Sequence, residues 1–307
     1  MKRALCVGEC MIELRHVDES TLRVGYAGDT YNTAVYFRRT ADALGADLEV
    51  GYLTGLGSDE FSSDMRAAWE RDGVADRSVR VDGYLPGLYT VRVDERGERR
   101  FSYWRSASAA RHLFAGSEWI AHLGAADVIH LSGITLQLAS PAAREKLLDR
   151  LAALRAEGVL ISLDTNYRPS GWAGPHEAAR AMDDVARVAT VVLATFEDEV
   201  AMHRCRSVDE AVTRLADLGV PEVVVKVGAD GAHLLVDGRV EHVPAALVER
   251  VVDTTAAGDA FAGGYLAARV AGRTPTEAGR VATEVAATVV SHPGAIIPSS
   301  VPLLASG

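Results

Sequence analysis

Apolar residues fall along this chain in two rhythms, and the change from one to the other divides it. Short apolar runs at 4–8, 128–131, 160–163, 188–194 and 222–227 are bounded by polar or glycine-rich turns, as strands buried on both faces would be. Stretches with helical periodicity lie among them, at 29–37, 62–71, 141–157 and 284–290. From Asp127 onward strand and helix alternate, which is what a parallel sheet with crossover helices requires. Residues 13–24 are instead short, polar and alternating. Residues 88–93 and 98–104 alternate too, on either side of a D-E-R-G-E turn. These segments read as a small second layer, a lid over the main sheet, and 233–236 with 239–243 read as a further hairpin.

Candidate chemistry concentrates at 251–266, V-V-D-T-T-A-A-G-D-A-F-A-G-G-Y-L. Small residues lead into a helix that starts near Ala256–Asp259, with Phe261, Tyr265, Leu266 and Val270 recurring at about one face and Gly263 and Gly264 allowing close packing. A helix start presents N–H groups without intrahelical partners and the positive end of the macrodipole, so it favours an anion. Asp259 would oppose that anion unless it faces a second reactant. Phosphoryl transfer fits both halves of this arrangement. The amides of Ala257, Gly258 and Asp259 would hold charge on the moving group while Asp259 takes a proton from the attacking hydroxyl. Read from A-A-G-D alone, Asp259 more simply caps a helix beside a tight Gly/Ala turn.

Other candidates carry the same two-sided reading. The run G-Y-A-G-D-T-Y-N-T-A at 25–34 sets Gly28, Asp29 and Asn32 at a helix start, suited either to a polyol or to plain capping. Tyr103 and Arg105 share one face of a strand, where a guanidinium would pair with a sugar acid or simply ride on an edge. The strand at 160–163 ends in D-T-N-Y-R-P, which puts Asn166 and Arg168 where ligands gather, with a salt bridge across the loop as the alternative for Arg168. Lys226 closes a very apolar strand, a poor place for a solubilising charge, and Gly228, Ala229 and Gly231 follow it in a turn open to phosphate or ribose. Glu199, in T-F-E-D-E, stands in an acidic cluster that would also serve as a solvated first helical turn.

The stretch D-T-T-A-A-G-D-x-F-x-G-G resembles the C-terminal signature of the PfkB/ribokinase family of sugar kinases, with Ala256 where most members have glycine. A-G-D-x-x-N-T-A, L-G and T-G-x-G-x-D, in that order, resemble the N-terminal half of the same pattern, and the likeness runs from about Cys6 to Pro298. G-E-C-M-I-E-L, Y-W-R, D-x-N-Y-R-P and G-A-I-I-P resemble a subgroup, the 2-keto-3-deoxygluconate kinases. The resemblance implies a ribokinase-like α/β fold over 1–307. Its doubly wound, mostly parallel sheet would be flanked by helices, with a small β lid from about 13–26 and 86–106. It implies ATP and Mg²⁺ as cofactors and a sugar acid as acceptor, with a neutral-sugar kinase such as a fructokinase as runner-up. Asp259 would be the base, aided by Ala256, Ala257 and Gly258. Gly28, Asp29, Asn32, Tyr89, Tyr103, Arg105, Asn166 and Arg168 would hold the acceptor. Lys226, Gly228, Ala229 and Gly231, with Ala257 and Gly258, would hold the nucleotide, and Glu199 would act on the metal through water. The family commonly carries asparagine where this chain has Phe196. Lid strands in this family often pair between subunits, so a homo-oligomer is expected.

Bulk properties narrow the alternatives. At 307 residues, 48% hydrophobic and 24% charged, the chain has the make-up of an enzyme with a substantial core. A net charge of −10 argues against a nucleic-acid surface, and the cations are nearly all arginine, since only Lys2, Lys146 and Lys226 are lysines. Cys6, Cys10 and Cys205 are too few and too badly spaced for a disulfide framework or a zinc site. Neither the Rossmann G-x-G-x-x-G after the first strand nor a P-loop occurs. With no secretory signal or long apolar run, a cytoplasmic enzyme that touches no membrane is expected.

Overall fold

The computed structural model describes residues 1–93 and 99–304. Strand β1 (Lys2–Val7) leads into lid strands β2 (Met11–His16) and β3 (Leu22–Ala27), and α1 (Asp29–Ala43) returns the chain to β4 (Leu48–Leu53). The short strands β5 (Gly55–Leu56), β6 (Ala75–Asp76) and β7 (Val79–Arg80) lie around α2 (Glu60–Arg71), ahead of lid strands β8 (Leu88–Val93) and β9 (Arg99–Trp104). Next come α3 (Glu118–Gly124), β10 (Val128–Ser132), α4 (Gly133–Leu138), α5 (Pro141–Ala156), β11 (Leu160–Asp164) and α6 (Pro175–Ala186). They are followed by β12 (Val191–Thr195), α7 (Phe196–His203), α8 (Val208–Asp217) and β13 (Glu222–Lys226). The hairpin β14 (Ala232–Val236) and β15 (Arg239–Val243) precedes α9 (Ala257–Val270) and α10 (Pro275–Val290).

Among the described residues the large sheet has nine strands, ordered β15-β14-β13-β12-β11-β10-β1-β4-β6. Its pairings from β13 to β6 are parallel, and β14 runs antiparallel to both β13 and β15. The winding direction reverses between β1 and β10, so a crevice opens outside their carboxyl ends. One face buries Leu147, Leu151 and Leu154 of α5 with Met182 of α6. The other buries Phe37, Tyr52, Trp69 and Tyr265 under α1, α2 and α9. Gly263 is needed where α9 crosses α1: an added Cβ would lie 2.7 Å from the carbonyl oxygen of Thr33 and from the amide of Phe37. That close approach draws the start of α9 against the start of α1, and it positions the site.

Helix α10 begins at Pro275, well ahead of the expected 284. Its buried face includes Ala278, Gly279 and Ala282, too small to register as an apolar stripe, and a capping box between Thr274 and Glu277 starts it. The lid is a four-stranded sheet, β3-β2-β8-β9. Its register places Glu13 beside Tyr89 and Tyr89 beside Tyr103, one row on one face, while Trp104 opposes Leu88 on the other. The expected Asp94–Glu98 turn lies outside the described residues.

Candidate active site

Helix α9 starts where the sequence places it. Ala256 adopts the left-handed conformation with φ 62° and provides no side-chain cap; the amide of Ala257 turns to the carbonyl of Thr254 at 3.3 Å, and those of Gly258 and Asp259 follow it in the first turn. The preceding turn is fixed by Asp253, whose carboxylate accepts from the amides of Thr255 at 2.7 Å and Gly294 at 2.8 Å. Asp259, in the first turn, points back toward α1. Its Oδ2 accepts from Asn32 Nδ2 at 2.8 Å, and Thr33 Oγ1 reaches its carbonyl oxygen at 3.3 Å.

From there the polar groups form a chain across the carboxyl ends of the strands. Asp29, three residues before Asn32, accepts from Asn166 Nδ2 at 2.9 Å. The amide of Asn166 donates to Asp164 Oδ1 at 3.2 Å, and Asp164 Oδ2 pairs with Lys226 Nζ at 2.6 Å. A Cβ built on Gly258 would sit 3.5 Å from Lys226 Nζ, which brings the chain back to the start of α9. Elements distant in sequence thus bring Asp29, Asn32, Asn166, Lys226, Gly258 and Asp259 together. Asn166 itself has φ 30°, a strained value held by its neighbours, and such strain concentrates at functional sites.

Burial raises the Asp259 carboxyl to about 7, and the negative field of Asp29 adds to the shift against the hydrogen bond from Asn32. A carboxylate poised there is matched to proton abstraction near neutral pH. His130, buried below the cluster on Ser162 Oγ at 3.1 Å, is pushed down to about 4 by burial, so it stays neutral and adds no charge.

On one side of Gly258 lies a cavity of about 490 Å³, lined by Gly228, Ala229, Gly231 and Thr254 and walled by apolar Leu247 and Val290. Gly228 (φ 58°) and Gly231 (φ 97°) take left-handed conformations, and a Cβ on Gly231 would strike the carbonyl oxygen of Val243 at 2.2 Å. Helix α10 lines this cavity through Thr283, Ala286 and Ala287. The turn after α10, from His292 to Pro298, borders a separate cavity of about 430 Å³ under the lid, with Arg15 and Tyr26.

The lid residues are distributed unequally. Tyr89 is buried, and its hydroxyl donates to Glu13 Oε2 at 2.5 Å. Tyr103 is 54% exposed, its ring 5.8 Å from that of Tyr89, and so has surface left for a ligand. Arg105 is 21% exposed and pairs with Glu9, which is buried. Gly28 is held open by close approach rather than conformation, since a Cβ there would lie 2.1 Å from the carbonyl oxygen of Glu9. Arg168 is exposed, with Nη1 bonded to the carbonyl of Tyr167 at 3.1 Å; the alternative salt bridge is not formed among the described residues.

Glu199 turns away from this cluster. It is buried, and its Oε2 accepts from Arg214 Nε at 2.9 Å and Nη2 at 2.6 Å. Burial raises its carboxyl to about 7, and Oε1 has no hydrogen-bond partner. The neighbouring Asp198 faces the cluster instead. Its Oδ2 accepts from Thr165 Oγ1 at 2.8 Å and the Tyr167 amide at 3.0 Å, and it lies within the fields of Asp164 and Lys226. Asp164, Asp198 and Glu9 therefore join the site without having been singled out in the sequence. Asp164 could have been found by the argument applied to Lys226, a charge at the end of a buried strand. Nothing local marks the other two.

Residues 1–302 match the sequence model of the pfkB family carbohydrate kinases. The chain is 42% identical to the 2-dehydro-3-deoxygluconokinase of Dickeya dadantii (strain 3937), over 97% of each chain. It is 40% identical to that of Escherichia coli (strain K12), again over 97% of each. The crystal structure of the PfkB protein from Polaromonas sp. JS666 superposes with a TM-score of 0.82 at 26% identity, covering 95% of this chain and 96% of that one.

Proposed function

This chain belongs to the pfkB family of carbohydrate kinases, and on that premise we propose that it phosphorylates 2-keto-3-deoxy-D-gluconate at the 6-hydroxyl, using ATP. The observation that carries the reading is the position of Asp259. Its carboxylate sits at a helix start, between a glycine-walled cavity on one side and the acceptor candidates Asp29, Asn32 and Asn166 on the other.

In this scheme Asp259 takes the proton of the 6-hydroxyl, and that oxygen forms a bond to the γ-phosphorus. The bond from the γ-phosphorus to the bridging oxygen breaks, and ADP leaves. The amides of Gly258 and Asp259, with that of Ala257, which also reaches the carbonyl of Thr254 at 3.3 Å, steady the charge on the moving phosphoryl group, with Lys226 beside them. Gly228, Ala229 and Gly231 line the phosphate and ribose side, and the apolar wall at Leu247 and Val290 suits a purine. Tyr89, Tyr103, Arg105 and Arg168 take the sugar acid. A neutral sugar would give Arg105 no carboxylate to pair with, which favours the acid over fructose.

Among the described residues no three of His, Cys, Asp and Glu converge as a metal cage. Mg²⁺ keeps waters and binds through substrate phosphates with one or two carboxylates. Asp198 lies near enough to Asp164 and Lys226 to serve, whereas Glu199, expected to act through water, is turned away and held by Arg214. When bound, the ion would neutralise phosphate charge. We also propose that the lid mediates a homo-oligomer, because Leu22, Val24 and Trp104 leave large apolar side chains exposed on one of its faces.

An ADP-release assay comparing 2-keto-3-deoxygluconate with fructose tests the reading. The expected result is a kcat/KM for the acid at least about a hundredfold higher, the discrimination available when a site's polar groups are built for one substrate. Equal values for the two sugars, or no ADP release with either, would overturn it.

A further inference from the structure

Glu9 occupies a place the proposed chemistry leaves unexplained. It lies just beyond β1, is 1% exposed, and carries a carboxylate into the joint between the lid and the main sheet. A carboxylate so deeply buried is costly unless it is paired. Its partners are few and specific. Ser108 Oγ donates to Oε1, and the Arg105 guanidinium pairs with Oε2. Burial pushes its pKa up, and the charges of Arg105 and Arg111 act against that shift.

The surroundings are shaped to this pairing. A Cβ on Gly87 would fall 2.7 Å from Glu9 Oε1 and 3.2 Å from the Cβ of Arg105, so glycine alone leaves room for both side chains. Gly87 also accepts the amide of Ile12 at 2.8 Å, which ties the first lid strands together at this point. The carbonyl of the same Glu9 lies directly against Gly28, at the head of the acceptor loop. One residue thus meets the acceptor loop through its backbone and the lid cation through its side chain.

We propose that Glu9 is a positioning residue that pre-orders Arg105 for the carboxylate of the acceptor, and thereby sets the preference for a sugar acid over a neutral sugar. The inference rests on the acceptor reading above. An arginine side chain has many rotamers, and the entropy lost in fixing it is charged to binding unless it is fixed beforehand. Glu9 fixes one side of the guanidinium, and the rest of the Arg105 side chain stays partly exposed. With Arg105 and Arg111 around one glutamate, the group is left with a net single positive charge, matched to one carboxylate.

Glu9→Gln tests this, because it keeps the size and the acceptor for Ser108 while removing the charge. The expected result is a rise of about tenfold in KM for 2-keto-3-deoxygluconate, the loss when one long side chain must be ordered on binding. The kcat, the KM for ATP and the constants for fructose should stay within about twofold. Glu9→Asp, which keeps the charge, should fall between. Unchanged KM for the acid, or an equal loss for both sugars, would overturn the proposal. If Glu9→Gln melts early, Ser108→Ala is read by the same criteria. Arg105→Ala separates the two readings. If it raises KM for the acid while Glu9→Gln does not, only the role of Glu9 falls; if neither does, the acceptor assignment falls with it.

Discussion

At the scale of single residues, the ionisation of Asp259 governs both turnover and part of the stability. The acid form cannot accept a proton, so kcat should fall about tenfold per pH unit below the raised pKa near 7. Asp259→Asn should lose at least about a hundredfold in turnover, the lower end of general-base assistance, and flatten that limb. Nucleotide affinity should survive, because the amides and Lys226 remain. Single-turnover rates and ADP titration check the two halves separately. The same shift has a stability consequence of opposite sense. Between the ordinary carboxyl value of 3.8 and about 7, the folded protein holds a proton that the unfolded chain has released. Stability from this group therefore declines as pH rises through that window, and the asparagine variant should lack the decline. Thermal melts at pH 5 and pH 8 would reveal the difference.

At the scale of elements, two short turns decide how the helices and strands present these groups. Ala256 holds a left-handed conformation that costs a residue with a Cβ about 1–2 kcal/mol. Glycine there would relieve the strain while giving back about 0.4–1 kcal/mol through the freer unfolded chain. Ala256→Gly should accordingly be neutral to stabilising, by up to about 1.5 kcal/mol at the midpoint of a denaturant melt. The loop after β11 is held differently, by Asp198 on Thr165 and on the amide of Tyr167, to either side of strained Asn166. Asp198→Ala would strand those donors at about 1–3 kcal/mol and loosen Asn166 from Asp29. Its signature should be a raised KM for the sugar together with a lower melting temperature.

At the scale of the whole molecule, one face of the lid leaves a group of large apolar side chains exposed. Trp104 is 61% exposed and Val24 54%, on the face turned away from Tyr103. Burying such a patch against a second copy is the expected remedy. Light scattering should report a dimer or larger species, and Val24→Glu with Trp104→Glu should shift it to monomer. A monomeric wild type at micromolar concentration would remove the oligomer from the proposal. Among the described residues no helix is long and apolar enough to cross a membrane.

Much of this was legible in the order of residues. Strand and helix alternation follows from hydrophobic period, and the turn into α9 follows from a run of residues too small to cover a helix start. Lys226 was conspicuous because a charge at the end of an apolar strand must have a reason to be there. The partnerships were not legible. Asn32 on Asp259, Asn166 on Asp29 and Lys226 on Asp164 join residues separated by between 62 and 227 positions, and only the crossing of α1 with α9 and the neighbouring strand ends brings them together. Glu9 and Asp198 were silent for the same reason: each acts through a partner from elsewhere in the chain. Periodicity and small residues are local properties and can be read in one dimension. Which charge meets which, and how far burial moves a carboxyl toward neutrality, depends on distances that exist only once the chain has folded.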